Sequence, residues 1–252
     1  MKLLIYLSYL GTNFCGYQVQ DDKRTVQGEL TRAAGELFSY DCDITGCSRT
    51  DSGVHANMFC ATISKRGEDG LYTRLCAERI ILALNAHLPE DIRVYDAKWV
   101  DDDFHARYGV QHKEYIYRIY LGNKLSPFMS GRAWMYKKHL PEDAAEKMQR
   151  AAEQFVGEKD FCAFMSQGSK VQSTVRCVKY ASVEKIGDEI IFKVAADGFL
   201  YNMVRIMVGT LIAVGEGKID ADKIESIIQS KDRKNAGQTA PPEGLYLNEV
   251  IY

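Results

Sequence analysis

The chain has 252 residues, 46% of them hydrophobic and 26% charged, a balance that excludes a disordered polymer and fits one large domain or two of ordinary size. A formal net charge of −2 and a pI near 6.2 exclude a body that holds nucleic acid by bulk charge, so any RNA contact must come from a local patch. No apolar run approaches the ~20 residues that cross a membrane. The seven scattered cysteines contain no C-x-x-C pair, which argues against a metal site or redox motif and for a reducing, cytoplasmic setting.

In chain order, Lys2–Tyr9 reads as a strand. Polar Ser8 and the turn residues Gly11-Thr12-Asn13 interrupt its apolar run too early for a signal peptide. Phe14–Val19 is a second extended stretch. Thr25 is placed to cap a helix over Val26–Phe38, with Leu30, Ala33, Ala34 and Leu37 at helical spacing. Strands follow at Ile44–Ser48 and Ala56–Ser64, then an amphipathic helix over Tyr72–Leu84 and a strand at Ile92–Trp99. The acidic run Asp101-Asp102-Asp103 reads as a solvated turn. A domain boundary is expected just beyond it, giving an N-terminal domain over 1–107 and a C-terminal domain over 108–252.

In the second half, strands are expected at Glu114–Leu121 and Gly131–Tyr136, then a helix from Pro141 to about Phe155. Thr174–Glu184 and Glu189–Ala196 form a hairpin around Gly187-Asp188. Phe199–Val214 and Ala221–Gln229 read as helices and Leu245–Ile251 as a closing strand. Antiparallel strands mixed with a few helices in both halves indicate an α+β fold.

Three stretches carry possible chemistry. In Ser48-Arg49-Thr50-Asp51-Ser52-Gly53-Val54-His55, a guanidinium and a carboxylate stand two residues apart in a polar break between apolar strands. On local grounds this is a surface turn with an ion pair, or a cleft carboxylate held ionised by a cation and able to act as nucleophile or base. His55 is read as a packing or hydrogen-bonding residue. In Lys113-Glu114-Tyr115-Ile116-Tyr117-Arg118, alternation sends Tyr115 and Tyr117 to one face, either as packing or as a stacking platform for bases. In Asp197–Gly209, Arg205 sits among Met203, Val204, Ile206 and Met207. It either snorkels or, if its head is buried, needs an acceptor. No phosphate loop, H-E-x-x-H or metal-ligand spacing occurs, which favours a reaction without metal or cofactor.

Together these stretches resemble the TruA family of pseudouridine synthases, collinearly over nearly the whole chain. Leu10–Gln18 is similar to the family's opening D-G-T-x-F-x-G-W-Q, and Ser48–Ala56 to its G-R-T-D-A-G-V-H-A, whose Asp is the nucleophile. Leu84–Val94, Phe104–Arg107, Lys113-x-Tyr115, Gly198–Gly209 and Ala240–Leu245 resemble further family segments in order. The resemblance implies two RRM-like (ferredoxin-like) α+β domains with sheets joined across a central catalytic cleft. It also implies a homodimer and isomerisation of uridines 38–40 in the tRNA anticodon arm. Asp51 would be the nucleophile, Tyr115 would pack on the target base, and Arg205 would pair with Asp51. Arg49 would hold the flipped nucleotide, and Lys65, Arg66, Arg107 and Arg176 are candidate phosphate contacts. Tyr17, Ser48 and Ser52 depart from the family's usual Trp, Gly and Ala. A Ser at 48 would perturb the loop if that position needs positive φ.

Two other classes compete: a catalytically silent RNA-binding or chaperone protein on the same fold, and a small-molecule enzyme with a lone Asp. The joint presence of Asp51, Tyr115 and Arg205 favours catalysis over the first. The lack of any cofactor or phosphate loop disfavours the second.

Overall fold

The computed structural model describes residues 1–122, 126–168 and 171–252. Two compact units divide the chain: Met1–Gln111 together with Tyr246–Tyr252, and His112–Leu245.

In the first unit, strands β1 (Lys2–Tyr9), β2 (Cys42–Gly46), β3 (His55–Lys65) and β4 (Ile92–Val100) alternate with helices α1 (Val26–Phe38) and α2 (Ala77–His87). All their pairings are antiparallel, β1 lying between β4 and β3 and β2 lying on the other edge of β3. This βαββαβ order with sheet order 4-1-3-2 is the RRM-like arrangement. Leu3, Ile5, Leu7, Leu30, Ile63, Ile80 and Leu84 are fully buried and form its core. The closing strand Leu245–Ile251 joins the start of β3 in parallel, Tyr246 opposite His55 and Leu247 opposite Ala56. Helix α1 starts as the sequence predicts, because the Thr25 hydroxyl accepts the Gly28 N–H.

The second unit contains strands β5 (His112–Tyr120), β6 (Trp134–Met135), β7 (Gly157–Asp160), β8 (Val175–Ile186) and β9 (Glu189–Ala196), with helices α3 (Ala144–Glu153), α4 (Met203–Gly215) and α5 (Ile224–Ser230). Its sheet runs β5-β9-β8-β7, antiparallel throughout, with the short β6 parallel to β5. Helix α4 is apolar all round and all but two of its residues, Arg205 and Ala213, are buried, as such a helix must be.

The structure departs from expectation at several points. Phe14–Val19 is not a strand: its backbone bonds with the 49–54 loop and α1 instead of a ladder. Helix α2 begins at Ala77, not Tyr72, because Tyr72 has both its backbone groups tied to the Tyr40 hydroxyl. Helix α4 begins at Met203, not Phe199, because Asn202 takes φ 61°, which no helix interior allows. Strand Gly157–Asp160 is too short and too charged to stand out in the sequence.

Candidate active site

Residues 47–54 link the end of β2 to β3, and their backbone is held from two sides. The Cys47 N–H bonds the Cys60 carbonyl across the strands. From the other side, the 11–17 segment lies against the loop. Tyr17 N–H donates to the Thr50 carbonyl at 3.1 Å, and Gly53 N–H and the Ser52 hydroxyl both reach the Phe14 carbonyl, at 3.3 and 3.1 Å. Tyr9 Oη and Thr50 Oγ1 share a buried hydrogen bond of 2.8 Å. This close approach requires Gly16: its φ is +89°, and a Cβ there would stand 2.7 Å from the Thr50 carbonyl oxygen. Asp51, half-buried, thus projects from a loop whose neighbours on both sides are pinned.

His55 supports the loop from below. It is fully buried, stacks on Tyr246 at 4.6 Å, and accepts the Gly11 N–H on Nδ1 at 2.9 Å. A ring nitrogen that accepts carries no proton, so His55 is the neutral tautomer protonated on Nε2. It is a structural anchor, as the sequence reading took it.

The three departures from the family pattern now have addresses. Ser48 is absent from the residues with positive φ, so serine costs the loop no backbone strain there. Ser52 uses its hydroxyl to bond Phe14. Tyr17 is 3% exposed and stacks on Phe59 at 4.4 Å. Its buried hydroxyl has no hydrogen-bond partner among the described residues, and burial pushes its pKa well above the usual tyrosine range.

The second unit carries Tyr115 and Arg205. Tyr115 lies on β5 opposite Val194, is 6% exposed, and meets Phe199 edge-on at 5.0 Å. The strand therefore packs against the segment that leads into α4. Arg205, half-buried in the first turn of α4, has its head held by the Ala240 carbonyl and the Asn202 side chain. Nε donates to the Ala240 carbonyl at 2.7 Å and Nη1 to Asn202 Oδ1 at 2.8 Å. The chain around Ala240 is held in turn: Ala240 N–H bonds the Arg205 carbonyl, and Tyr117 Oη donates to the Pro241 carbonyl at 2.7 Å. Gly209 allows this segment to cross α4, since a Cβ there would come within 1.7 Å of the Gln238 carbonyl oxygen. Sequence reasoning found Arg205 but not Asn202, Ala240 or Tyr117 as its surroundings.

The candidate phosphate contacts fall in different places. Arg49 is exposed in the Asp51 loop itself. Arg107 is exposed on a turn where its guanidinium lies 6.0 Å from the ring of Tyr108, which itself meets His105 in a tilted arrangement at 4.3 Å. Lys65 and Arg66 stand at the far end of β3, roughly 30 Å along the strand from the loop at about 3.3 Å per residue. There Lys65 pairs with Glu68 at 2.6 Å and Arg66 with Asp41 at 2.8 Å. Arg176, half-buried on β8, turns back onto the Ser173 and Val175 carbonyls. Arg49 and Asp51 thus stand in the first unit, Tyr115 and Arg205 in the second.

Among the described residues, no three His, Cys, Asp or Glu side chains gather as metal ligands, and no helix is long and apolar enough to cross a membrane. The seven cysteines are free thiols; Cys42, Cys47 and Cys60 are buried, Cys76 is exposed and the rest are intermediate.

Comparison with known proteins gives a consistent result. The sequence pattern of a family described as tRNA pseudouridine synthase matches residues 5–109 and 151–252. A protein of Acetivibrio thermocellus named tRNA pseudouridine synthase A is 45% identical over 253 residues, covering 100% of this chain and 99% of its own. Proteins of the same name from Thermoanaerobacter sp. and Staphylococcus aureus are 43% and 38% identical, covering 100% and 99% of this chain and 99% and 91% of their own.

Proposed function

Since this chain belongs to the tRNA pseudouridine synthase family, we propose that it isomerises uridine to pseudouridine at positions 38–40 of the tRNA anticodon arm with Asp51 as nucleophile. The full-length identity to synthases of that name carries the reaction class. The pinned loop supports the choice of Asp51, because a nucleophile must be held in place before its substrate arrives.

The reaction conserves every atom. The target uridine must first leave its stack, at a cost of roughly a few kcal/mol. Arg49, in the same loop, holds the displaced nucleotide. Asp51 then enables cleavage of the N–C glycosidic bond, the freed uracil rotates, and it rejoins the ribose through carbon. The proton on that carbon leaves and a ring nitrogen gains one, so no redox partner or group donor enters the balance. Tyr115 packs on the base and assists proton removal. Arg205 pairs with Asp51, keeping it ionised and aimed; its planar fork suits a carboxylate better than an ammonium would.

Binding of the tRNA body draws on Arg107 and Arg176, with Lys65 and Arg66 contributing only by exchanging carboxylate partners for phosphate. The chain acts as a homodimer in the cytoplasm, each tRNA touching both subunits; light scattering of the pure protein should report about twice the chain mass of 28.5 kDa. Exposure of a full tRNA set to the enzyme, followed by sequencing of modified positions, tests the substrate. Pseudouridine confined to positions 38–40 is the expected outcome. Product elsewhere would overturn the positional assignment, and no product with tight tRNA binding would favour a silent RNA-binding protein.

A further inference from the structure

The residue just before α4 behaves unlike an ordinary helix cap. Asn202 holds a left-handed backbone, φ 61° and ψ 10°, and its side chain accepts no backbone N–H from the helix it precedes. An Asn at this position would normally stabilise the helix by capping it. Its amide is engaged elsewhere on both sides. Oδ1 accepts Arg205 Nη1 at 2.8 Å, and Nδ2 donates to Ser166 Oγ at 3.0 Å. The orientation of the amide is chemically fixed, because a guanidinium only donates and must face the oxygen. Ser166 is itself tethered, its N–H bonding the Tyr201 carbonyl at 3.1 Å. A cap is thus forgone and a left-handed backbone accepted, and in exchange one more acceptor is trained on Arg205.

From this arrangement we infer that Asn202 is a positioning residue for Arg205, acting on catalysis only through that guanidinium. The inference rests on the proposed role of Arg205 toward Asp51. The Ala240 carbonyl fixes Nε and Asn202 fixes Nη1, so two points at different edges of the planar group set its rotation as well as its location. Removing the Asn202 acceptor takes away the Nη1 anchor and loosens the plane while the Ala240 contact remains. The carboxylate it serves would then lose orientation in the step that breaks the glycosidic bond, while tRNA contacts elsewhere are untouched.

Asn202→Gly is the clean variant, since glycine takes the left-handed backbone without strain and removes only the side chain. Asn202→Asp keeps an acceptor oxygen and tolerates the same backbone. Single-turnover pseudouridine formation is measured for both, and for Arg205→Lys, Arg205→Ala and the Asn202→Gly/Arg205→Lys double variant, with tRNA affinity and thermal melting alongside. The expected results are a roughly tenfold slower chemical step for Asn202→Gly at unchanged tRNA affinity, and recovery to within about threefold in Asn202→Asp. A further expected result is no added loss from Asn202→Gly once Arg205 is Lys, as coupled neighbours should show. A wild-type rate in Asn202→Gly, or losses that simply multiply in the double variant, would overturn the inference while leaving the role of Arg205 intact. Full activity in Arg205→Lys and Arg205→Ala would instead remove the reading on which it rests.

Discussion

At the scale of single residues, the placement of Asp51 depends on atoms that have no chemistry of their own. Gly16 is the clearest case: its positive φ and the missing Cβ let the Tyr17 N–H reach the Thr50 carbonyl. Gly16→Ala would force backbone against backbone, so it should destabilise the protein by roughly 1–3 kcal/mol and slow pseudouridine formation at least tenfold. Gly217→Ala is the control, because Gly217 also has positive φ but open space around it; its cost should be about 1 kcal/mol with an unchanged rate. Equal effects on rate would show that the loop does not depend on this contact. In the sequence, Asp51 was visible as a carboxylate beside a cation, and the family pattern supplied its role. Gly16 and the Thr50 carbonyl were not visible, since what they do is fixed by a contact 34 residues away in the chain. The concern over Ser48 disappears for the same reason: its φ is a property of the folded loop and not of residue type.

At the scale of elements, helix α4 is the one whose sequence said most. Its apolar composition fits the burial seen, and the lone arginine in it left two readings open, a snorkelling head or a held one, of which the structure shows the held one. The start of the helix was missed by four residues, because a left-handed Asn202 looks like any helix-compatible residue in a one-dimensional pattern. The other end of α4 shows a different device. Glu216, at the C-terminal cap, is a carboxylate where the helix dipole disfavours one. Lys218, Tyr136 and Lys138 all bond it, and these contacts, Lys218 first, lower its pKa from 4.5 to about 2. A carboxyl with a depressed folded pKa contributes stability that is present above about pH 4.5 and lost as pH falls toward 2. Glu216→Gln should therefore be less stable than the wild type at pH 7, and the gap should close between pH 4.5 and 2. Parallel urea-denaturation curves for the two proteins across that range would contradict this account of the helix end.

At the scale of the whole chain, composition and motif pointed in different directions. A net charge of −2 argues against a body that holds RNA by bulk charge, yet the collinear motifs and the full-length identity to tRNA pseudouridine synthases point to a tRNA substrate. The two readings agree if binding is local as proposed, because the exposed Arg49 and Arg107 need not raise the charge of the body that carries them. The α+β class followed from the mix of strands and helices, and the RRM-like arrangement of the first unit from the family resemblance. The return of Tyr246–Tyr252 to the first unit did not, because a parallel pairing between residues nearly 200 positions apart leaves no local trace. All of these scales converge on one carboxylate, and one comparison tests it. Pseudouridine formation on tRNA should be measured for the wild type and Asp51→Ala with tRNA binding followed in parallel. The account predicts no detectable product from Asp51→Ala at an affinity within a few-fold of the wild type. Product formed by the variant at the wild-type rate would contradict it.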